Sequence, residues 1–412
     1  MRIFLHRNPL HGVSFLSFFT VISQYYNYHL FGFLAAYISH VFFPANNEIS
    51  QLLNTYLVMT LTIIAKPIGA VLLGNWGDKI GRKTSFKLSL ISTACASFLI
   101  CIAPSYKDIG ILSIIILIIS RLLICLFVSA GTDGVRLYVY ENINKDAKCL
   151  GTAITTVFAQ LGSLLASISA WFFTLNFFPN YFWRISFFIG FLIVSLNYFL
   201  LTKDQYTQNK MIKDDPETII KILFSNRLLF IAAVCLAGSI GASNQFLVIF
   251  FSTYIFQILD LVDNSIMYQY VSIFLVLYMF SSVACGILAD KYGYIIIFNI
   301  GAILSLFLSC VICYSISNSY LSYYAYLGLA ITLPKMIIPC LVIFKQSIPF
   351  TIRYRLFSLS HAIGSIIISA PTPYISTFLY YKTNITWLPV LYLITILIMI
   401  ILITHYLYKT RL

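Results

Sequence analysis

Long apolar runs, separated by short polar breaks, recur along the whole 412-residue chain. Runs near 12–39, 51–73, 85–103, 110–132, 150–175 and 184–201 fill the first half. Runs near 228–256, 265–289, 294–315, 320–344, 357–380 and 385–408 fill the second. Each is close to the roughly 20 apolar residues that a helix needs to cross the hydrocarbon of a bilayer. A helix satisfies its own backbone hydrogen bonds there, so the pattern predicts an all-α polytopic membrane protein. The longest polar stretch, from about Thr202 to Arg227, falls between the sixth and seventh runs. It divides the chain into 1–201, a linker at 202–227, and 228–412.

Composition narrows the picture. The chain is 60% hydrophobic and 9% charged, and a soluble domain cannot hide that much apolar surface. No Ser/His/Asp, HExxH or paired-acid constellation gathers in one place, so an enzyme is not expected. The net charge of +13 would suit a nucleic acid. The basic residues are instead scattered between apolar runs and form no continuous face, which excludes that partner. They follow the positive-inside rule. With both termini cytoplasmic, the opposite side holds only Lys107, Arg184 and Lys382, while Lys66, Arg121 and Lys335 fall inside runs. A bacterial inner-membrane protein is expected, embedded in lipid and monomeric. The nine Cys residues sit almost entirely in apolar runs, where small packing residues are the plainer reading. No metal and no cofactor are therefore expected.

One polar break carries more information than the rest. It reads Gly74-Asn75-Trp76-Gly77-Asp78-Lys79-Ile80-Gly81-Arg82-Lys83, and a weaker copy runs from Gly286 through Asp290 to Gly293. Two copies, about half a chain apart, suggest two homologous halves packed face to face, an architecture used for transport. Gly74 and Gly77 allow close helix approach. Asp78 can face the positive amino end of a packed helix, expected near Leu356. Arg82 can pair with an acid at the end of the fourth helix, where Glu141 stands. With Gly81, Lys83, Asp290 and Arg353 these residues form an expected cytoplasmic gate. A solvated hairpin carrying positive-inside charge is the alternative.

Several stretches together resemble the metabolite:proton symporters of the major facilitator superfamily, and within them the proline/betaine transporter-like group. Gln24-Tyr25-Tyr26-Asn27-Tyr28-His29-Leu30-Phe31-Gly32-Phe33-Leu34-Ala35 is similar to E-W-Y-D-F-x-L-Y-G-F-L-A. Ala65-Lys66-Pro67-Ile68-Gly69-Ala70 is similar to A-R-P-L-G-A, and Arg121-Leu122-Leu123 to R-L-L-Q-G. Trp183-Arg184-Ile185-Ser186-Phe187 is similar to W-R-I-P-F, and Ile348 to Tyr354 with Ser358-Leu359 to F-P-T-x-V-R-Y…S-L. The resemblance implies the major facilitator fold, with twelve transmembrane helices in two six-helix pseudorepeats. It implies alternating access for a small carboxylate-bearing solute, a proline- or betaine-like zwitterion, with a proton as co-solute. The chain departs from the family where acids are usual: Gln24, Asn27, Gly131 and Gln346 stand there.

Within that frame Arg121 is the expected substrate anchor, because a charge in mid-membrane usually marks function and a guanidinium grips a carboxylate in bidentate fashion. Gln24 and Asn27, spaced i, i+3, share a helix face with Tyr28 and are expected to line the site. Tyrosine faces would suit a quaternary ammonium group, although plain aromatic packing accounts for each Tyr equally well. Lys335, between Pro334 and Pro339, is a further substrate candidate. Asp133, His29 and His361 are the candidate proton carriers. Asp133 lies about 18 Å along the helix from Arg121, too far to pair with it, and can pair with Arg136 at i+3. A di- or tricarboxylate such as 2-oxoglutarate or citrate is a rival cargo, with Lys335 or Lys66 as the second cation. A degenerate nutrient sensor that binds without flux is another rival.

Overall fold

The computed structural model describes residues 15–44, 47–69, 82–175, 177–203, 227–349 and 353–410. Within them the chain is a succession of helices: α1 (Phe15–Phe33, resuming as Ala35–Phe42), α2 (Glu48–Thr62), α3 (Arg82–Ile102), α4 (Ile111–Asn142), α5 (Lys148–Phe173) and α6 (Trp183–Lys203). Then come α7 (Arg227–Asn244), α8 (Asn264–Tyr292), α9 (Tyr294–Ser317), α10 (Tyr323–Ser347), α11 (Arg353–Gly364) and α12 (Leu388–Lys409). Nine helices among the described residues are long and apolar enough to cross a membrane, and α3 and α4 hold the shorter apolar stretches Lys87–Ile102 and Ile111–Leu126.

The packing pattern repeats with a shift of six helices. α1 packs on α5 and α6, and α3 packs on α4 and α6. Six helices later, α7 packs on α11 and α12, and α9 packs on α10 and α12. The contacts between the two sets obey the same shift. α5 lies along α8, and the continuation of α11 (Thr372–Thr383) lies on α2. Such a pattern is what a pseudo-two-fold axis through the bundle produces.

Burial is uneven among the helices. The spans of α7 and α10 are 78% and 72% buried, whereas those of α9 and α12 are each 39%. The outer helices expose Phe199, Ile303, Phe307 and Leu402, which are compatible only with lipid. The inner contacts are close. A methyl group added to Gly286 on α8 would lie 2.9 Å from the Cα of Leu150 on α5, so the two backbones nearly touch.

Three helices are deformed where they border the interior. α7 continues as π-helical turns at Gln245–Phe250 and Tyr254–Ile258, α11 passes into one at Ser365–Ser369, and α10 contains Pro334 and Pro339. A π turn rotates the side chains that follow it and is frequent at functional sites.

One boundary differs from expectation. α4 runs to Asn142, ten residues past the expected end at 132. Arg136 falls beyond that end and reads as a loop charge, but it stands within the helix, one turn after the buried Thr132 and Asp133. The expected linker lies largely in 204–226, outside the described residues. So do Gly74, Gly77, Asp78 and Gly81 of the gate loop, while Arg82 and Lys83 open α3 with side chains that are not described.

Candidate functional site

A cavity lies between the two sets of six, lined by α1, α2, α4, α5, α7, α8, α10 and α11. About 140 Å³ of it is open to the centre of a water molecule, which suits a small solute. Its charged lining is basic. Lys66, in the helical segment that continues α2 past its turn at 63–64, donates to the Ser365 hydroxyl at 2.9 Å. Arg136 on α4 donates to the Tyr25 hydroxyl and lies over that ring. Lys345 on α10 donates to Thr152 Oγ1 at 3.3 Å and sits over the rings of Tyr140 and Phe357. Lys66 and Lys345 are buried, yet the polar group each meets is a neutral hydroxyl. Among the described residues, no acidic side chain lines the cavity.

One carboxylate stands just behind this lining. Asp133 is 1% exposed. Its Oδ2 is 2.8 Å from His361 Nδ1 on α11, and its Oδ1 is 3.6 Å from Arg136 NH1. Three basic side chains thus face one carboxylate around the cavity.

Polar contacts tie the halves together on either side of it. At the end that carries the α4–α5 turn, Asp290 at the end of α8 accepts from the backbone N–H groups of Cys149 and Leu150, each at 2.9 Å. These are orphan donors of the α5 amino terminus, so the bond is a helix cap supplied by the other half. At the opposite end, the Tyr268 hydroxyl on α8 donates to the carbonyl of Phe33 on α1 at 2.5 Å, and Gly32 backs onto Ile249.

The pattern that defines the Major Facilitator Superfamily matches residues 15–333. The chain belongs to the Major Facilitator Superfamily. A citrate-proton symporter of Klebsiella pneumoniae is 34% identical over 191 residues, covering 45% of this chain and 43% of that protein. A citrate-proton symporter of Salmonella typhi is 26% identical over 245 residues, covering 58% and 56%. The chain thus matches about half the length of these two curated relatives. A Staphylococcus aureus (strain MSSA476) protein named for proline/betaine transport is 26% identical over 389 residues, covering 90% of this chain and 83% of its own length. Among solved structures, a D-xylose-proton symporter superposes with a TM-score of 0.74 at 14% identity, covering 98% of each chain. That similarity is one of fold.

In this Major Facilitator Superfamily chain the residues expected from the sequence do not all converge. Tyr28 and His29 line the cavity. The Tyr28 hydroxyl accepts from Gln245 Nε2 at 3.2 Å, and His29 Nδ1 is 2.5 Å from the Ser163 hydroxyl. Asp133 and His361 come together. Gln24 and Asn27 point elsewhere: Gln24 bonds Ser89 and Thr93, and Asn27 bonds Ser97 and the carbonyls of Ser23 and Gly190. They serve the α1–α3–α6 packing and are not lining groups. Lys335 is also away from the cavity, on the face of α10 where Gly301 of α9 packs against it. Glu141 is exposed at the end of α4, and Arg353 donates to the Ile348 carbonyl at 3.2 Å. Arg136, Lys345 and Gln245 are lining residues that sequence reasoning missed. In the sequence Arg136 and Lys345 lie beyond the ends of apolar runs and read as topology-setting loop charges.

Arg121 is fully buried beside Tyr28 and does not line the cavity. Its NH1 donates to the Tyr28 carbonyl at 3.4 Å, its guanidinium is 4.4 Å from the centre of the Phe31 ring, and Nε and NH2 have no hydrogen-bond partner among the described residues. A buried charge so weakly compensated is costly. Arg121→Met is expected to stabilise this state by about 1–4 kcal/mol, seen as a higher unfolding midpoint in detergent. A lower midpoint would show that the ring contacts outweigh the desolvation.

Proposed function

We propose that the protein is a secondary transporter that moves a di- or tricarboxylate, of which citrate is the test compound, together with protons. The carrying observation is the cavity lined by Lys66, Arg136 and Lys345 with one nearby carboxylate. Buried ammonium groups are costly unless compensated, and the hydroxyls of Ser365 and Thr152 compensate only in part. A solute with several carboxylates supplies the missing charge and accepts charge-assisted bonds from all three cations. The two citrate-proton symporters among the relatives support the same class. The halves rock about this site, and the Asp290 cap at the α5 amino end opens and reforms with each cycle. We also propose that both termini are cytoplasmic in a bacterial inner membrane, from the Lys and Arg bias.

A second reading has its own support. Tyr25, Tyr28, Tyr278 and Phe357 line the same cavity and could face a quaternary ammonium group. The relative named for proline/betaine transport also matches 90% of the chain.

Uptake of radiolabelled citrate, proline and glycine betaine into proteoliposomes, with and without an inward proton gradient, decides between them. Gradient-driven accumulation of citrate is expected. Accumulation of proline or betaine without citrate would overturn the first reading in favour of the second. Citrate binding without any flux would make the protein a sensor.

A further inference from the structure

We propose that Asp133 and His361 form a proton carrier shared between the halves, and that it works in series with the Lys66–Ser365 contact to couple proton and solute. This rests on the transport reading above and names its coupling site. Both contacts hold one short piece of α11. His361 Nδ1 meets Asp133 Oδ2 of α4 at 2.8 Å. One turn later, Ser365 accepts from Lys66 at 2.9 Å and donates to the His361 carbonyl at 2.6 Å. Ser365 is the first residue of the π turn, where α11 is most easily bent.

The Asp133 carboxylate can only accept while ionised, so the His361 nitrogen facing it carries the hydrogen. Its second oxygen, Oδ1, has no hydrogen-bond partner among the described residues. That oxygen is a place for an incoming proton. The charged or titratable groups facing the pair are Arg136 on α4, Lys66 after α2, Tyr25 on α1 and Lys345 on α10, with Tyr278 on α8 acting on Arg136. None of these is a second carboxylate.

A hydronium ion gives its proton to Oδ1, leaving a water molecule and a neutral acid. The ionic contact of Oδ1 with Arg136 at 3.6 Å is lost with the charge, and the charge-assisted bond to His361 becomes a weaker neutral one. On the far side of the cycle the proton returns to water and the ionic contact reforms. The solute acts on the other tie: its carboxylate competes with Ser365 for Lys66. Freeing α11 from α4 and α2 thus requires both ligands, and each ligand shifts the equilibrium only through its own differential contact.

The test uses Asp133→Asn and His361→Gln in proteoliposomes, with citrate–citrate exchange measured beside proton-driven accumulation. Both variants are expected to keep exchange while accumulation falls to simple equilibration, and Asp133→Glu is expected to restore part of it. Wild-type accumulation in Asp133→Asn or His361→Gln would overturn the carrier and leave the cargo untouched. If the wild type moves no citrate, the cargo reading fails and the carrier is judged by infrared difference spectra of the purified protein on acidification. A carboxylic acid band lost in Asp133→Asn supports it, and no such band in the wild type overturns it. If Asp133→Asn does not fold, His361→Gln carries the flux test.

Discussion

Lys345→Met is expected to weaken citrate binding by about 10- to 100-fold, because a hydrogen bond to a charged partner is worth about 1.5–3 kcal/mol. Lys66→Met should act similarly. Titration calorimetry on the detergent-purified protein reads both. Methionine keeps the length and apolar stem of each lysine, so the packing over the Tyr140 and Phe357 rings is largely retained. The same substitutions remove a buried charge and should leave the ligand-free protein as stable as before, or more so. That combination separates the two roles these lysines could play. A structural lysine would lower the unfolding midpoint and spare affinity, whereas a solute-binding lysine lowers affinity and spares the midpoint. Unchanged citrate affinity in both variants would remove the basis for a carboxylate cargo. Proline, with a single carboxylate, should lose far less in either variant.

Much of the fold was legible from apolar runs and the repeated loop, because lipid contact forces length and hydropathy on each helix. The site was less legible, and α1 shows why. A helical period groups Gln24 with Asn27, and the structure does place them on one face. The period cannot say which neighbour that face meets. The polar stripe Ser89, Thr93 and Ser97 on α3, spaced at four residues, is the matching signal, since it supplies their partners. Tyr25, Tyr28 and His29 share the other face and meet the cavity. Arg136 and Lys345 were hidden for a different reason. Each lies near a helix end, where a basic residue is ordinarily read as topology. Only the packing of α4 and α10 against the opposite half turns them inward. The meeting of Asp133 and His361, 228 residues apart, depends on the halves docking, which no local pattern records.

Asp290→Ala is expected to open the α4–α5 end of the bundle. The side chain caps two backbone donors of α5 from across the interface, a role worth about 0.5–2 kcal/mol with a further contribution from the helix dipole. At about 1.4 kcal/mol per tenfold, losing it shifts the open population by about an order of magnitude. Cys149, buried at this contact, is a native reporter. Its labelling by a membrane-permeant maleimide, followed by mass spectrometry at each cysteine, should speed up about tenfold. Cys125 is also buried, but near Thr62 of α2, and should label at the wild-type rate. Asp290→Asn should fall between, since its amide oxygen can still accept one of the two N–H groups. The close approach at Gly286 adds a second constraint at the same end, so the effect should be a shift in population and not unfolding. Equal labelling of Cys149 in wild type and Asp290→Ala would mean that backbone packing at Gly286 holds this end closed, and Asp290 would then be a helix cap with no part in gating.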